Sequence, residues 1–246
     1  MYHPVFEYAS VSSTNYKARR LIENGERGPV WLRADEQKAG YGRSGKPWYS
    51  PVGNLYATFL FAPLCPLVCL PQLAFVAGLA ACDTVSSLVG SAHSVEKFCR
   101  LKWPNDILCG VAKIGGVLVE TISHNNKRFA IIGYGVNITS KPTIKGREFT
   151  AMQELGASPQ PDELLGELDY KLYDYLKVWN NGINFDTIRT RWLRRSFPLG
   201  APISVNISSS LVRGTFAGLT EAGALMLRLA TGEVIFVNVG EVKVDW

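Results

Sequence analysis

The stretch GYGRSGKPWYSPVGN, residues 40–54, decides which nucleotide-binding folds this chain can adopt. Gly40, Gly42 and Gly45 fit the dinucleotide fingerprint G-x-G-x-x-G. Gly40, Gly45 and Lys46 also fit the phosphate loop G-x-x-x-x-G-K, but Pro47 stands where that motif requires Ser or Thr. Both motifs need a helix directly after the glycines, because the helix N-terminus binds the phosphate. Two prolines and a glycine within eight residues after Lys46 argue against a helix there. The sequence therefore argues against the Rossmann and Walker interpretations and predicts a strand over 29–34 followed by a long basic loop.

Composition indicates a globular protein with one large domain, or a large domain and a small one. The chain has 246 residues, of which 47% are apolar and 19% charged, and its net charge is +5. The densest basic segment, 189–195, is better explained as the solvated face of a helix than as a nucleic-acid surface. The modest positive charge suits a small acidic substrate better than a duplex.

The pattern of cysteines and histidines does not indicate a metal site or a disulfide framework. The five cysteines are odd in number and contain no C-x-x-C pair, which predicts buried, reduced thiols in a cytoplasmic protein. His3, His93 and His124 are scattered and lack metal-ligand spacing, so a structural metal is not expected.

The chain is expected to be soluble. Its first residues lack the basic and apolar regions of a signal peptide. The most apolar stretch, 59–81, is interrupted by prolines, so no uninterrupted span of about 20 residues is present to cross a bilayer. Its second half instead predicts a buried helix that starts at a proline.

Helices and strands alternate along most of the chain, and the pattern changes after Pro198-Leu199-Gly200. Periodicity and turn residues predict helices over 13–24, 71–88, 161–179 and 185–195, and strands over 30–34, 55–62, 100–108, 114–122 and 129–138. Beyond residue 200 they predict five short strands over 203–207, 212–219, 224–229, 234–237 and 241–244. This predicts a main domain over 1–197 and a small β-barrel over 198–246, which serves as a scaffold.

Polar residues interrupt the apolar segment LKWPNDILCGVAKIGGVLVE, residues 101–120. Lys102 and Lys113 lie at the margins of buried strands, where a lysine is costly unless it faces an anion. Asn105, Asp106 and the glycine pair at 115–116 complete a cleft suited to a carboxylate and a phosphate. A purely structural Lys–Asp pair explains the same residues and stays open.

Four motifs in order carry a family resemblance. They are S-T-N from Ser13, Q-x-A-G-x-G-R-x-G-K-x-W from Gln37, K-W-P-N-D followed by a lysine and a glycine from Lys102, and G-x-G-x-N ending at Asn137. Their order and spacing from about residue 10 to the C-terminus resemble biotin–protein ligases. The resemblance implies an α+β fold, with a mixed β-sheet flanked by helices and a small C-terminal SH3-like β-barrel.

The resemblance also implies an activity and its partners. Biotin–protein ligases use ATP and Mg²⁺ to convert biotin into biotinyl-5′-AMP, and they transfer the biotinyl group to a lysine of a biotin carboxyl carrier domain. Regulatory members carry an N-terminal helix-turn-helix, for which about ten residues before Ser13 leave no room. No DNA or membrane partner is therefore expected, and a homodimer through a sheet edge is a family expectation.

By resemblance, each motif residue receives a role. Ser13, Thr14, Asn15 and Gln37 would line the biotin pocket, because their hydroxyls and amides suit the ureido ring. Lys102 and Lys113 would neutralise charge on the biotin carboxylate and the α-phosphate. Tyr41, Gly42 and Arg43 would close over the adenylate, and Gly115 and Gly116 would leave room for biotin. ATP would be bound by Arg43, Trp48, Lys102, Asn105 and Asn137. Asp106 would bind Mg²⁺.

Tyr41 departs from the family pattern, which often has an arginine after the first glycine of the loop. This departure predicts a weaker hold on the adenylate, so that Tyr41→Arg would reduce leakage of the free intermediate. Two other functions stay open. A lipoate–protein ligase shares the fold and chemistry, although Trp-Pro-Asn-Asp and the barrel favour biotin. A non-enzymatic biotin-binding or regulatory module would not need two such lysines and a closing loop.

Overall fold

The computed structural model describes residues 2–90, 99–207 and 210–244. Its larger sheet has seven strands: β1 Val5–Val11, β2 Val30–Gln37, β3 Leu55–Phe61, β4 Cys99–Lys102, β5 Asp106–Cys109, β6 Ala112–His124 and β7 Lys127–Val136. Their spatial order is β1-β2-β3-β7-β6-β5-β4. Only β1 and β2 pair in parallel, and the other neighbours are antiparallel. The expected mixed sheet is confirmed. His93, one of the three histidines considered above, lies outside the described residues.

Helices cover both faces of this sheet. Helix α1 (Thr14–Glu23) packs Ala18 and Ile22 onto one face, in a small core with residues of β2, β3 and β7. Helices α2 (Leu73–Gly90), α3 (Pro161–Trp179) and α4 (Phe185–Arg194) cover the other face and form the main core with it. All four predicted helices are present. Each begins within two residues of its predicted start.

Helix α2 is mostly apolar because most of its residues are buried, between the sheet and helices α3 and α4. Together with the turn before it, residues Leu67–Gly90 have the length and hydropathy of a membrane span. About two thirds of that stretch is buried inside the protein, as in the core helix of a globular domain.

The predicted single strand over 100–108 is wrong. Residues Trp103-Pro104-Asn105 form a turn, and β4 and β5 pair on either side of it, with Lys102 opposite Asp106. At the open end of this hairpin Cys99 lies opposite Cys109, and the two are joined by a disulfide. The prediction of five reduced thiols is therefore wrong for this pair, whereas Cys65, Cys69 and Cys82 are free.

The second sheet contains all five strands predicted after residue 200. They are β8 Pro202–Ile207, β9 Ser210–Leu219, β10 Leu225–Arg228, β11 Val234–Val237 and β12 Glu241–Val244, in the order β11-β10-β9-β8-β12. All pairings are antiparallel. The domain boundary at 198 stays a prediction.

The second sheet shares its core with α2 and α4, and hydrogen bonds join it to α4 and to the β4–β5 turn. Arg189 donates to the carbonyl of Leu219 at 3.1 Å, and the Trp103 indole donates to the carbonyl of Gly223 at 3.2 Å. Arg195 pairs with Asp83 of α2 at 2.8 Å. The basic segment 189–195 is therefore only partly a solvated face, since two of its arginines hold neighbouring elements.

Candidate functional site

A cleft of about 830 Å³ opens between the larger sheet, the glycine-rich loop (residues 38–48) and the second sheet. This volume suits a ligand of drug or nucleotide size. All the predicted site residues except Gly115 line the cleft. Residues from the two ends of the chain meet there, because the second sheet contributes Gly240 and Glu241 to its wall.

The N-terminus of α1 forms one end of the cleft. Ser13 is the N-cap, and its hydroxyl accepts from the amide of Tyr16 at 3.5 Å. Thr14 donates from both its amide and its hydroxyl to the Gln37 side-chain oxygen, at 2.9 and 3.1 Å. Ser13, Thr14 and Asn15 are all at least 95% buried. This end therefore presents uncharged, orientated polar groups on a rigid helix start.

Both the oxygen and the nitrogen of the Asn15 side-chain amide are hydrogen-bonded. Its oxygen accepts from the buried Thr58 hydroxyl at 2.7 Å, and its nitrogen donates to the Glu120 carboxylate at 2.8 Å. A side chain at Gly133 would meet the Asn15 oxygen, since an added Cβ would lie 2.3 Å from it. The position of Asn15 thus depends on Gly133, the first glycine of the G-x-G-x-N motif, and on Glu120, neither of which was assigned a role from the sequence.

The glycine-rich loop folds back on itself as a short hairpin. Tyr41 and Pro47 form an isolated bridge, the Gly42 amide donates to the Lys46 carbonyl at 2.8 Å, and a single 3₁₀ turn spans Arg43–Gly45. The loop does not lead into an α-helix. Its tip reaches the second sheet, where Arg43 donates to the Gly240 carbonyl at 3.2 Å and Lys46 pairs with Glu241.

Two lysines converge on one buried carboxylate at the centre of the cleft. Lys102 lies 2.9 Å from one oxygen of Asp106, and Lys113 contacts the other oxygen. Burial alone would raise the pKa of Asp106, but Lys113 and Lys102 outweigh it and lower the pKa to about 2. The group therefore carries two positive charges and one negative charge, and it is positive overall.

Trp48 forms the wall beside these lysines. The Lys113 ammonium lies 5.0 Å from the centre of the Trp48 ring, a cation–π contact. The indole lies directly against Gly135, where an added Cβ would be 2.5 Å from the ring. Gly135 therefore determines how deeply Trp48 enters the cleft. The G-x-G-x-N motif contains this signal, but only its asparagine was assigned a role.

The two glycines of β6 have different roles. An added Cβ at Gly115 would lie 2.9 Å from the Gly135 carbonyl, so Gly115 permits close packing of β6 on β7. Gly116 lines the cleft beside Lys113, and an added Cβ there would make ordinary contacts at 3.5 Å. Of the two, only Gly116 is positioned to leave room for a ligand.

The two asparagines that were predicted to bind the nucleotide each donate a side-chain hydrogen bond to a backbone carbonyl. Asn105 donates to the Val117 carbonyl at 2.7 Å and so fixes the β4–β5 turn to β6. Asn137 is 1% exposed and donates to the Thr150 carbonyl at 3.0 Å. Both residues line the cleft.

A loop over residues 139–149 completes the cleft and was missed by the sequence reasoning. It contributes Lys141, Ile144, Arg147 and Phe149 to the wall. Asn54 fixes its start, because the Asn54 oxygen accepts from the amides of residues 138, 139 and 140 at 2.8 to 3.2 Å. Asn54 is the last residue of the stretch 40–54, which was not connected with this loop in the sequence analysis.

The wall of the cleft is predominantly cationic. Arg43, Lys46, Lys102, Lys113, Lys141 and Arg147 line it, against the carboxylates Asp106 and Glu241. Burial lowers the pKa of Arg43, which the charges of Asp106 and Glu241 partly offset. A cleft with neutral polar groups at one end and cations along the rest suits a ligand with an uncharged polar head and an anionic tail.

The profile of the Biotin/lipoate A/B protein ligase family matches residues 6–137, which is more than half of the chain. The chain belongs to this family. It is 32% identical over 234 residues to the biotin–[acetyl-CoA-carboxylase] ligase of Paracoccus denitrificans, covering 92% of this chain and 95% of that relative. It is 28% identical to the bifunctional ligase/repressor BirA of Bacillus subtilis, covering 94% of this chain and 70% of BirA.

The fold agrees with this family assignment. The biotin protein ligase of Aquifex aeolicus, solved in complex with biotin and ATP, superposes with a TM-score of 0.82 over the full length of both chains, at 24% identity. The mixed sheet with its flanking helices is therefore a biotin protein ligase fold, as the motifs implied.

Proposed function

We propose that this protein is a biotin–protein ligase, which converts biotin and ATP into biotinyl-5′-AMP and pyrophosphate and transfers the biotinyl group to a lysine of a biotin carboxyl carrier domain. The observation that carries the proposal is the pair Lys102 and Lys113 on Asp106, at the centre of a cleft with neutral polar groups at one end. The P. denitrificans relative, which aligns over nearly its whole length, is named for this activity.

The uncharged end of the cleft would hold the ureido ring of biotin. That ring offers two N–H donors and one carbonyl acceptor. Ser13, Thr14, Asn15 and Gln37 present hydroxyl and amide groups that match both kinds, on the rigid ends of α1 and β2. Because Ser13, Thr14 and Asn15 are nearly fully buried and Gln37 is held by hydrogen bonds, binding would cost little side-chain entropy.

The lysine pair would act on the reacting groups. In the first step a biotin carboxylate oxygen attacks the α-phosphorus of ATP, and pyrophosphate leaves. Lys102 and Lys113 would turn from Asp106 to the carboxylate and the α-phosphate, where negative charge accumulates. Asp106 keeps both ammonium groups close together until the substrate anions replace it.

Mg²⁺ would enter with the phosphates of ATP. Within the residues that the structure describes, no group of three or more His, Cys, Asp or Glu is close enough to form a protein metal site. Both oxygens of Asp106 contact lysines. Asp106 therefore fits only as a single protein ligand, with ATP oxygens and water completing the coordination shell.

The glycine-rich loop would cover the product of the first step. Biotinyl-5′-AMP is a mixed anhydride that water hydrolyses. Arg43 lies near the Asp106 centre and brings a cation to the phosphate, and the loop closes the cleft against solvent. In the second step the carrier lysine attacks the biotinyl carbonyl, and AMP leaves. A cytoplasmic location and homodimerisation through a sheet edge belong to the same proposal.

The test is mass spectrometry of the small-molecule products after the protein is incubated with ATP, Mg²⁺ and equimolar biotin and lipoate. The expected product is biotinyl-AMP with no lipoyl-AMP. Lipoyl-AMP would retain the mechanism and change the substrate, and no adenylate from folded protein would overturn the enzymatic function.

Lys113→Ala tests the role of the lysine in the same assay. It should abolish adenylate formation while circular dichroism and the unfolding midpoint show a folded protein. Lys171→Ala is the matched control, because Lys171 pairs with Glu167 on the surface of α3, away from the cleft. Wild-type turnover by Lys113→Ala would remove Lys113 from the catalytic role.

A further inference from the structure

Three donors from two separate elements, α1 and the glycine-rich loop, meet on the Glu120 carboxylate. Asn15 of α1 donates to one oxygen at 2.8 Å, and the Tyr41 hydroxyl of the glycine-rich loop donates to the same oxygen at 3.0 Å. Arg19, one turn further along α1, donates to the other oxygen at 2.7 Å. Glu120 itself lies on β6 and is 18% exposed. One carboxylate therefore joins the closing loop to a side chain of the biotin end.

The bond to Tyr41 is one of the side-chain contacts that fix the position of the loop. On the opposite side, Arg43 and Lys46 contact Gly240 and Glu241 of the second sheet. The pKa of Tyr41 is raised by burial and by the charge of Glu120, so its hydroxyl is a protonated donor at neutral pH.

Arg19 supplies the positive charge that Glu120 needs. A half-buried carboxylate with only neutral donors would lose much of its hydration energy without compensation. The cation on Glu120 therefore comes from α1, and Tyr41 of the loop is a neutral donor to the same carboxylate.

We propose that Tyr41, Glu120 and Arg19 form a latch that couples closure of the glycine-rich loop to the orientation of Asn15. This inference rests on the proposed function. With the latch formed, Glu120 holds the Asn15 nitrogen in place for the ureido ring, and the loop covers the adenylate. Tyr41 is a positioning residue, because it acts on the substrate through Glu120 and Asn15.

The latch predicts a different result for substitutions of Tyr41 than the loss of a loop cation does, because it assigns Tyr41 the hydrogen bond to Glu120. Tyr41→Phe removes only the hydroxyl, so it should raise the KM for biotin and the release of free biotinyl-AMP, each by about tenfold, the effect of losing a hydrogen bond to a charged group. At saturating biotin, kcat for adenylate formation should stay within about twofold, because the lysine pair is untouched. Tyr41→Arg should not reduce leakage.

Glu120→Gln tests the carboxylate at the centre of the latch. Three donors converge on Glu120, whereas a glutamine offers one acceptor oxygen and one donor nitrogen, so at least one of the three bonds must break. The same rise in KM and leakage is expected. In the double variant with Tyr41→Phe, the two effects should be strongly non-additive.

Loop closure can be measured without catalysis, by trypsin cleavage after Arg43 in the presence of biotin. The wild type and the control Tyr16→Phe should be protected by biotin, and Tyr41→Phe should be cleaved several times faster. The hydroxyl of Tyr16 is a suitable control because it lies on the exposed side of α1.

Unchanged KM, leakage and cleavage in Tyr41→Phe would overturn the latch, as would a fall in kcat at saturating biotin equal to the fall in kcat/KM. These results are distinct from a failure of the proposed function, in which the wild type itself would form no biotinyl-AMP.

Discussion

Asp106 offers the sharpest test of the charge arrangement in the cleft. Its pKa is lowered from 3.8 to about 2, and its side chain is 14% exposed. A tenfold change in proton affinity corresponds to about 1.4 kcal/mol, so the charged carboxylate contributes roughly 2 kcal/mol to the free energy of unfolding at pH 7. Asp106→Asn should lose this contribution, because asparagine keeps the shape and removes the charge between the two lysines.

The sign of the pH dependence follows from the lowered pKa. A carboxyl group with a lower pKa in the folded state stabilises the protein fully above its unfolded pKa of about 4, and the stabilisation is lost as the pH falls through about 2. The difference between the wild type and Asp106→Asn should therefore be largest at neutral pH. About half of it should remain at pH 3.

Urea unfolding at pH 7, 5, 4 and 3 measures this difference. Asp35→Asn is the control, because Asp35 is 45% exposed and pairs with Arg33 at the surface. The control should cost about 0.5 kcal/mol or less. A loss in Asp106→Asn that is independent of pH would show that asparagine disturbs packing and would refute the electrostatic reasoning. No loss at pH 7 would refute it as well.

Three further substitutions test neighbouring residues of β7 that line the cleft. Gly133→Ala places a Cβ 2.3 Å from the Asn15 oxygen, so the dissociation constant for biotin measured by calorimetry should rise by about tenfold; unchanged affinity would show that Asn15 does not contact biotin. Gly135→Ala should displace the Trp48 ring, which lies 2.5 Å from the added Cβ, and raise the KM for ATP by about tenfold, whereas a normal KM would remove Trp48 from the nucleotide site. The buried hydroxyl of Tyr134 has no hydrogen-bond partner within the described chain, so Tyr134→Phe should raise the unfolding free energy by about 1 kcal/mol, and a lower melting temperature would contradict this.

Local signals predicted most of the elements. Ser13 predicted the start of α1, and the leucines of α3 predicted that helix because they recur at helical spacing. The structure confirms both, and the five strands of the second sheet. Turn residues and periodicity are local properties, so a single sequence contains them in full.

The missed elements had weak or misleading local signals. Strand β1 lies at the edge of the sheet, and its polar and apolar residues alternate irregularly in VFEYASV, so no periodicity indicated a strand. The run over 100–108 is apolar enough for a single strand, yet Pro104 could have indicated the turn between β4 and β5, since a proline removes a donor from the ladder. Apolar content outweighed the proline in that prediction.

Only the site residues that belong to recognisable sequence motifs could be predicted. Ser13, Gln37, Lys102 and Lys113 belong to segments with clear polar signals, and the fold brings them to one cleft. Glu120 could not be found in this way. Its contacts to Asn15 and Tyr41 join residues 105 and 79 positions apart, and its strand context suggests an ordinary surface glutamate.

Transfer to a carrier tests the central claim most directly, because it requires adenylation, protection of the intermediate and release to a protein lysine in sequence. The protein would be incubated with biotin, ATP, Mg²⁺ and the biotin carrier domain of a carboxylase, and the carrier would be analysed by intact mass and peptide mapping. We predict the addition of one biotinyl group to one lysine, and no addition when ATP is omitted. A carrier that stays unmodified while ATP, biotin and folded protein are present would contradict the assignment.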